Sequence, residues 1–263
     1  MLRILFVGDV MGSPGRRALS RMLGALRSRL DVHFVIANGE NAAGGLGITK
    51  PTAIAILDAG VDVITLGNHS FAKKDMIGYI ESEPRVLRPA NYPPGAPGRG
   101  WGVFQATTGD SVAVANLVGR TFMAPLDCPF RAADAITNEI GGAARALIVD
   151  VHAEATSEKV AMGRRLDGRA SAVVGTHTHV QTSDEVILPG GTAYITDAGM
   201  TGVRDSVLGL DKDTVISRFM TGVSGKFTLA EGPATLQGVL IDVDPRTGRA
   251  VAIERVSVGE GEL

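Results

Sequence analysis

The fold of this chain is constrained most by an alternation of short apolar runs with segments whose apolar residues have helical spacing. Residues 3–7, 32–37 and 62–66 are strand-like runs rich in Val, Ile and Leu. Between them, residues 14–30 and 50–59 repeat apolar side chains at the spacing of one helix face. A β-α-β order of this kind predicts parallel strands that are covered by helices.

The second half of the chain is richer in strands. Strand-like runs at 112–118 and 146–151 are each followed by a helical stretch or a turn. Residues 235–243 and 250–258 flank an Asp-Pro-Arg-Thr-Gly turn and predict an antiparallel hairpin. The prolines and glycines of 84–102 predict a long surface connection. The whole order predicts an α/β fold with a mixed sheet, or with two packed sheets and helices outside.

Composition excludes several functional classes. With 263 residues, of which 44% are hydrophobic and 21% charged, the chain can bury a substantial core. Its net charge of −2 and its 5% of aromatic residues predict neither a nucleic-acid groove nor a membrane-binding surface. The one cysteine, Cys128, excludes an internal disulfide. No apolar run has the length of a signal peptide or a membrane span, so we expect a single cytoplasmic domain over residues 1–263.

Residues of metal-binding type follow the ends of the strand runs. They are two carboxylates, two carboxamides and four imidazoles: Asp9, Glu40, Asn41, Asn68, His69, His152, His177 and His179. Because ligands bind beyond the carboxyl ends of parallel strands, we expect these side chains to converge. Mixed oxygen and imidazole donors suit Mn, Fe, Zn, Co or Ni, and eight candidates exceed the roughly four to six ligands of one ion. The set therefore favours a pair of ions.

The same residues resemble the motif series of a known superfamily, the calcineurin-like metallophosphoesterases. The matching pieces are Gly8-Asp9, Gly39-Glu40-Asn41, Gly67-Asn68-His69, His152 and Gly175-Thr-His177-Thr-His179. Two positions depart from the usual motifs, because Met11 stands in place of a histidine and Glu40 in place of an aspartate. The Glu-Asn-Ala-Ala-Gly-Gly run from Glu40 and the Asp-Ala-Gly-Met-Thr-Gly run from Asp197 resemble the YmdB-like subgroup over nearly the whole chain.

This resemblance implies a four-layer α/β/β/α sandwich and a two-metal phosphodiesterase of cyclic nucleotides. Glu40 would bridge the two ions, for which Fe or Mn is expected and Zn, Co, Ni or Mg are alternatives. By the resemblance, one ion takes Asp9, Asn41 and His179, and the other takes Asn68, His152 and His177. His69 stays free as the general acid, while hydroxide held by the ions attacks phosphorus.

Each of these residues also has an ordinary structural interpretation. Asp9 alone is typical of a helix cap, and His152 of a buried core histidine. Their joint occurrence at successive strand ends favours the site over these separate explanations. His33 lies inside a strand and is interpreted as structural. Arg120 follows a strand and is either a substrate-phosphate ligand or an ordinary ion-pair partner.

The leading functional hypothesis is hydrolysis of small cyclic nucleotides, either 2′,3′ or 3′,5′. One alternative keeps the two-metal site but makes the enzyme a phosphomonoesterase or nucleotidase. Another makes the chain a metal-stabilised regulatory protein that acts through binding partners. The expected partner is a small phosphodiester, and self-association stays open.

Overall fold

The computed structural model describes residues 1–223 and 225–263, and it contains two β-sheets with helices on their outer faces. The helices are α1 (Gly12–Arg29), α2 (Lys50–Asp58), α3 (Met76–Ser82), α4 (Pro129–Ile140), α5 (Thr156–Arg165) and α6 (Lys212–Thr221). The strands are β1 (Leu2–Val7), β2 (Asp9–Val10), β3 (Phe34–Asn38), β4 (Val63–Thr65), β5 (Val86–Leu87), β6 (Trp101–Gln105), β7 (Ser111–Val118), β8 (Ala146–His152), β9 (Ala172–Thr176), β10 (Val186–Ile187), β11 (Ala193–Ile195), β12 (Met200–Val203), β13 (Ala234–Val243) and β14 (Ala250–Gly259).

The first sheet is mixed and has eight strands. Its parallel part runs β1-β3-β4-β5. Strand β13 pairs antiparallel with β1 and also with β14, which confirms the predicted hairpin. Strand β12 pairs with the start of β13, and β2 pairs with β12.

The second sheet has six strands in the order β10-β11-β9-β8-β7-β6. Its central strands β7, β8, β9 and β11 are parallel. The two edge strands, β6 and β10, are antiparallel to their neighbours. Each sheet therefore contains a parallel run of four strands, β1-β3-β4-β5 in the first and β7-β8-β9-β11 in the second, as the alternation of strands and helices predicts.

Side-chain alternation along the strands produces three apolar layers. In β1, Ile4 and Phe6 face the second sheet, while Leu5 and Val7 pack under the helices α1 to α3. A third cluster lies between the second sheet and the helices α4 and α5. The order of layers is helix, sheet, sheet, helix, which confirms the predicted α/β/β/α sandwich.

Some local predictions were wrong. Residues 84–102 do not form one irregular connection, because they include β5 and the start of β6. Helix α1 begins at Gly12 rather than at the predicted Pro14. Within the described residues, no helix has both the length and the apolar character that crossing a membrane requires.

The layer between the sheets predicts where truncation is most costly. Phe6 is fully buried there, so Phe6→Ala should lower the free energy of unfolding by about 3–5 kcal/mol, the usual cost of an aromatic cavity. Phe122→Ala is the control, because that ring is 90% exposed, and its effect should stay below about 0.5 kcal/mol. Urea unfolding measures both; equal costs for the two variants would contradict this layer arrangement.

Candidate active site

The predicted site residues converge at one edge of the molecule, beyond the carboxyl ends of five parallel strands. Asp9 follows β1 and begins β2, Glu40 and Asn41 follow β3, Asn68 and His69 follow β4, His177 and His179 follow β9, and His152 ends β8. The strands come from both sheets, so the site lies where the two sheets meet. The expectation that these side chains lie together is met for all eight.

His152 is the centre of one group of donor atoms. Its Nε2 lies 3.0 Å from Glu40 Oε1, 3.1 Å from Asn68 Oδ1 and 3.0 Å from His177 Nδ1. One donor atom each from Glu40, His152 and His177 lies within 4.8 Å of the other two. A single N–H cannot satisfy three such neighbours, whereas a cation can accept all of their lone pairs.

A second group lies around Asp9. His179 Nε2 is 3.0 Å from the side-chain nitrogen of Asn41 and 3.7 Å from Asp9 Oδ1. The other Asp9 oxygen accepts a hydrogen bond of 3.1 Å from the His177 backbone N–H. Asn41 Oδ1 lies 3.2 Å from His69 Nδ1, so Asn41 contacts both histidines.

The donor set fits a metal ion. Asp9 Oδ1 and Glu40 Oε1 are buried and have no hydrogen bond of good geometry from any described residue, although imidazole nitrogens lie 3.0 to 3.9 Å from them. Leaving a buried carboxylate oxygen without a partner costs free energy, so such atoms mark a place where a cation belongs. Both oxygens lie beside imidazole nitrogens, and oxygen with imidazole is the donor mixture that transition metals accept.

Electrostatics within the cluster push the pKa values apart. Burial raises the pKa of Asp9, and burial together with the nearby His152 lowers the pKa of His177 to about 3. Burial opposes the charge on His152, but the Glu40 carboxylate and further acids outweigh it and raise its pKa to about 9. Burial likewise opposes the charge on Glu40, yet His152 and His69 hold the Glu40 pKa well below its usual range. The cluster therefore favours a positive charge beside the Glu40 carboxylate.

Sequence reasoning missed a buried network that orients His152. Thr176 Oγ1 donates to Asp150 Oδ1 at 2.7 Å and lies 2.9 Å from His152 Nδ1, whose N–H it can accept. Asp150 Oδ2 accepts from Asn38 at 3.0 Å and from Thr65 at 2.5 Å, both on the first sheet. This arrangement leaves the His152 Nε2 lone pair directed at the donor cluster. Burial raises the pKa of Asp150 to about 6.

The turn that carries the two last histidines is held in a strained conformation. His177 and His179 have φ angles of 99° and 62°, which non-glycine residues rarely adopt. Asp197 accepts from the Thr178 N–H at 3.0 Å and from its hydroxyl at 2.6 Å. The buried Lys159 ammonium lies 2.8 Å from the same carboxylate. Asp197 begins the Asp-Ala-Gly-Met-Thr-Gly run that resembles the YmdB-like subgroup. Its contacts with Thr178 and Lys159 explain why a carboxylate stands at this position.

A cavity of about 500 Å³ opens onto the cluster, and its lining includes Glu40, Asn41, His69, His177 and His179. Met11 lines it too, at the position where the family motif has histidine.

Two other predicted residues lie elsewhere. Arg120 is not among the described residues that line the cavity, and its guanidinium lies 3.5 Å from Cys128 Sγ. A substrate-binding role for Arg120 stays a prediction. His33 accepts a 3.0 Å hydrogen bond from the Arg3 backbone, in line with its structural interpretation.

Gly67 provides a test of how closely the cluster is packed. A Cβ at this position would overlap the His152 ring and the Glu40 carboxylate, so Gly67→Ala should displace both and weaken Mn²⁺ binding at least tenfold. Gly78→Ala in α3 is the matched control, because a Cβ there meets no atom. Isothermal titration with Mn²⁺ measures both variants; equal affinities would show that the cluster does not bind the ion.

Comparisons with known proteins agree with this architecture. A 2′,3′-cyclic-nucleotide 2′-phosphodiesterase of Bacillus subtilis (strain 168) is 50% identical over 262 residues, which cover 100% of this chain and 99% of that protein. A hypothetical protein of Thermus thermophilus superposes with a TM-score of 0.92 at 46% identity, covering 98% of this chain and 99% of the other. A novel phosphatase of Mycoplasma pneumoniae also reaches 0.92, at 32% identity, covering 98% and 93%.

These relatives confirm the predicted fold and the predicted enzyme class, a phosphoesterase. The family model described as YmdB-like protein matches residues 5–256. With that match and the 50% identical relative, the chain belongs to the YmdB-like family.

Proposed function

We propose that this enzyme is a metal-dependent phosphodiesterase that hydrolyses small cyclic nucleotides, with 2′,3′-cyclic nucleotides as the first substrates to test. The observation that carries the proposal is the buried cluster of unpartnered carboxylate oxygens and facing imidazoles, which opens into one cavity. The Bacillus subtilis relative, named for this activity, supports the substrate class.

Two ions with Glu40 between them account best for the donor groups. Asp9, Asn41 and His179 form one ligand set, supported by the 3.7 Å between His179 Nε2 and Asp9 Oδ1 and by the Asn41 side chain, which lies beside His179. Asn68, His152 and His177 form the other set, supported by the contacts of 3.0 to 3.1 Å around His152 Nε2. When bound, two divalent ions would hold phosphate oxygens, lower the pKa of water and stabilise in-line displacement. Fe or Mn are the proposed metals.

Asn41 replaces the histidine that is absent at Met11. Its side chain contacts His179 and His69 on either side, at 3.0 and 3.2 Å. Met11 itself is only 4% exposed and has no nitrogen or oxygen donor in its side chain. The ligand set around Asp9 therefore depends on Asn41.

His69 is proposed as the general acid. Its backbone N–H donates to Glu40 Oε2 at 2.9 Å, and its Nδ1 lies 3.2 Å from both Glu40 Oε1 and Asn41 Oδ1. Because Nδ1 faces these two oxygens, Nε2 is left to give its proton to the departing ribose oxygen. Water adds to phosphorus as the P–O bond to that oxygen breaks, so the ring opens to a phosphomonoester. Asn41 and Glu40 keep the imidazole oriented throughout.

A phosphomonoesterase is the second candidate, because the Mycoplasma pneumoniae structural relative is described as a phosphatase. The relative cleavage rates of two model substrates distinguish these two functions. The phosphodiesterase cleaves bis(p-nitrophenyl) phosphate faster than p-nitrophenyl phosphate, and the monoesterase shows the reverse order.

Removing the general acid should slow hydrolysis most for the substrate whose leaving group needs a proton. His69→Ala should lower kcat for 2′,3′-cyclic AMP by about 10²–10⁴-fold, because the ribose oxygen leaves poorly without a proton. The loss should be much smaller with bis(p-nitrophenyl) phosphate, whose leaving group needs none. His33→Ala is the control and should keep wild-type turnover of both, since His33 lies outside the site. Equal losses on the two substrates would exclude His69 as the acid.

Metal content should depend on Asn41. After chelator treatment, which should abolish turnover, and reloading with Mn²⁺, the wild type should retain two ions per chain. Asn41→Ala should retain about one, because Asp9, His179 and the shared Glu40 leave that ion one protein ligand short of a closed set. Asn138→Ala, at an exposed position of α4, should retain two. Mass spectrometry of the metal content after gel filtration decides, and two ions in Asn41→Ala would contradict the assignment.

A further inference from the structure

We propose that an apolar wall beside the donor cluster binds the base of the cyclic nucleotide, and that the enzyme selects its substrates by stacking instead of by hydrogen bonds to the base edge. We call this surface the nucleobase wall; it consists of Leu46, Leu208, Leu210 and Phe227. The inference rests on the proposed function, and it assigns a binding surface to the part of the substrate that the metal cluster does not hold.

The nucleobase wall and the donor cluster line the same cavity. Its volume of about 500 Å³ lies within the usual range for small-molecule sites. Glu40, His69 and His177 form part of this lining. Outside the donor cluster and apart from Lys73, the lining consists of apolar side chains and two glycines, so a nucleotide whose phosphate lies at the cluster has to place its ribose and base against a mainly apolar surface.

The wall is held in place by contacts to the site. The Leu208 carbonyl oxygen lies 3.2 Å from His179 Nδ1, which connects the wall to the imidazole beside Asp9. Backbone hydrogen bonds run from Asp211 to Thr228 at 2.9 Å and from Ala230 to Gly209 at 3.0 Å, so the two wall segments are paired. Such a surface is formed before the substrate arrives, which lowers the entropy cost of binding.

Phe227 is the aromatic member of the wall. The Arg218 guanidinium of α6 lies 4.7 Å from the centroid of its ring, a cation–π contact that fixes the ring. The ring is 38% exposed, and Leu208 and Leu46 are 45% and 47% exposed. These side chains leave apolar surface open at the cavity, and a flat base can cover it.

The chemistry of the wall predicts the selectivity. None of its four side chains carries a hydrogen-bond donor or acceptor, so it cannot read the edge of a base. Stacking on an aromatic ring tolerates every base but favours the larger purine face. We therefore expect similar use of adenine and guanine, and weaker use of uracil and cytosine.

The test compares 2′,3′-cyclic AMP with methyl riboside 2′,3′-cyclic phosphate, which has the same ring phosphate but no base. The measured quantity is the ratio of kcat/KM for the two compounds in the Mn²⁺-loaded, full-length protein. Phe227→Ala should lower this ratio about tenfold, the usual effect of losing one base–aromatic stack. Phe219→Ala is the control, because this phenylalanine of α6 is 84% exposed and does not line the cavity, and its ratio should equal the wild-type value.

The outcomes separate the inference from the proposed function. If the wild type hydrolyses neither compound, the proposed function fails and the inference with it. If it hydrolyses both but Phe227→Ala lowers the ratio less than about threefold, the nucleobase wall fails alone.

A comparison of bases needs no variant and covers the case in which Phe227→Ala unfolds. In the wild type, kcat/KM for 2′,3′-cyclic AMP and 2′,3′-cyclic GMP should agree within about threefold, and both should exceed the value for 2′,3′-cyclic UMP. A hundredfold preference for one purine, or no advantage over the base-free compound, overturns the inference.

Discussion

The candidate site depends on the hydrogen bonds that the buried Asp150 carboxylate accepts. It extends from the second sheet, accepts hydrogen bonds from Asn38 and Thr65 of the first, and through Thr176 determines which His152 nitrogen faces the donor cluster. A buried carboxylate is costly unless it is fully hydrogen-bonded, so this contact favours the register in which Asn38 and Thr65 reach Asp150. That register also brings the ligand-type residues of both sheets to one edge. The fold and the site are therefore specified by the same contact.

Most of the fold could be predicted from the sequence because its longer elements are locally consistent. The apolar stripe of α1 and the hairpin of β13 and β14 follow from periodicity and turn residues alone. The short elements could not be predicted in this way. Strands β5 and β12 have two and four residues and exist because a neighbouring strand pairs with them, which no local pattern reveals.

The same division applies to the site. The ligand-type residues could be identified because each stands just after a strand run, in an order that resembles a family. The supporting residues Thr176, Asp150 and Lys159 could not, because a buried threonine, aspartate or lysine becomes informative only once its partner across the sheets is known. The nucleobase wall could not be predicted from the sequence either. Its residues Leu208 and Phe227 are separated in sequence and meet only because their segments pair.

The proposed position of Glu40 is between two metal ions. It is tested most directly by anomalous diffraction from crystals of the Mn²⁺-loaded protein with bound phosphate. Two anomalous peaks are expected about 3.5–4 Å apart, both in contact with the Glu40 carboxylate, with Asn41 at the ion nearer Asp9. A single peak, or two peaks that Glu40 does not join, would contradict it.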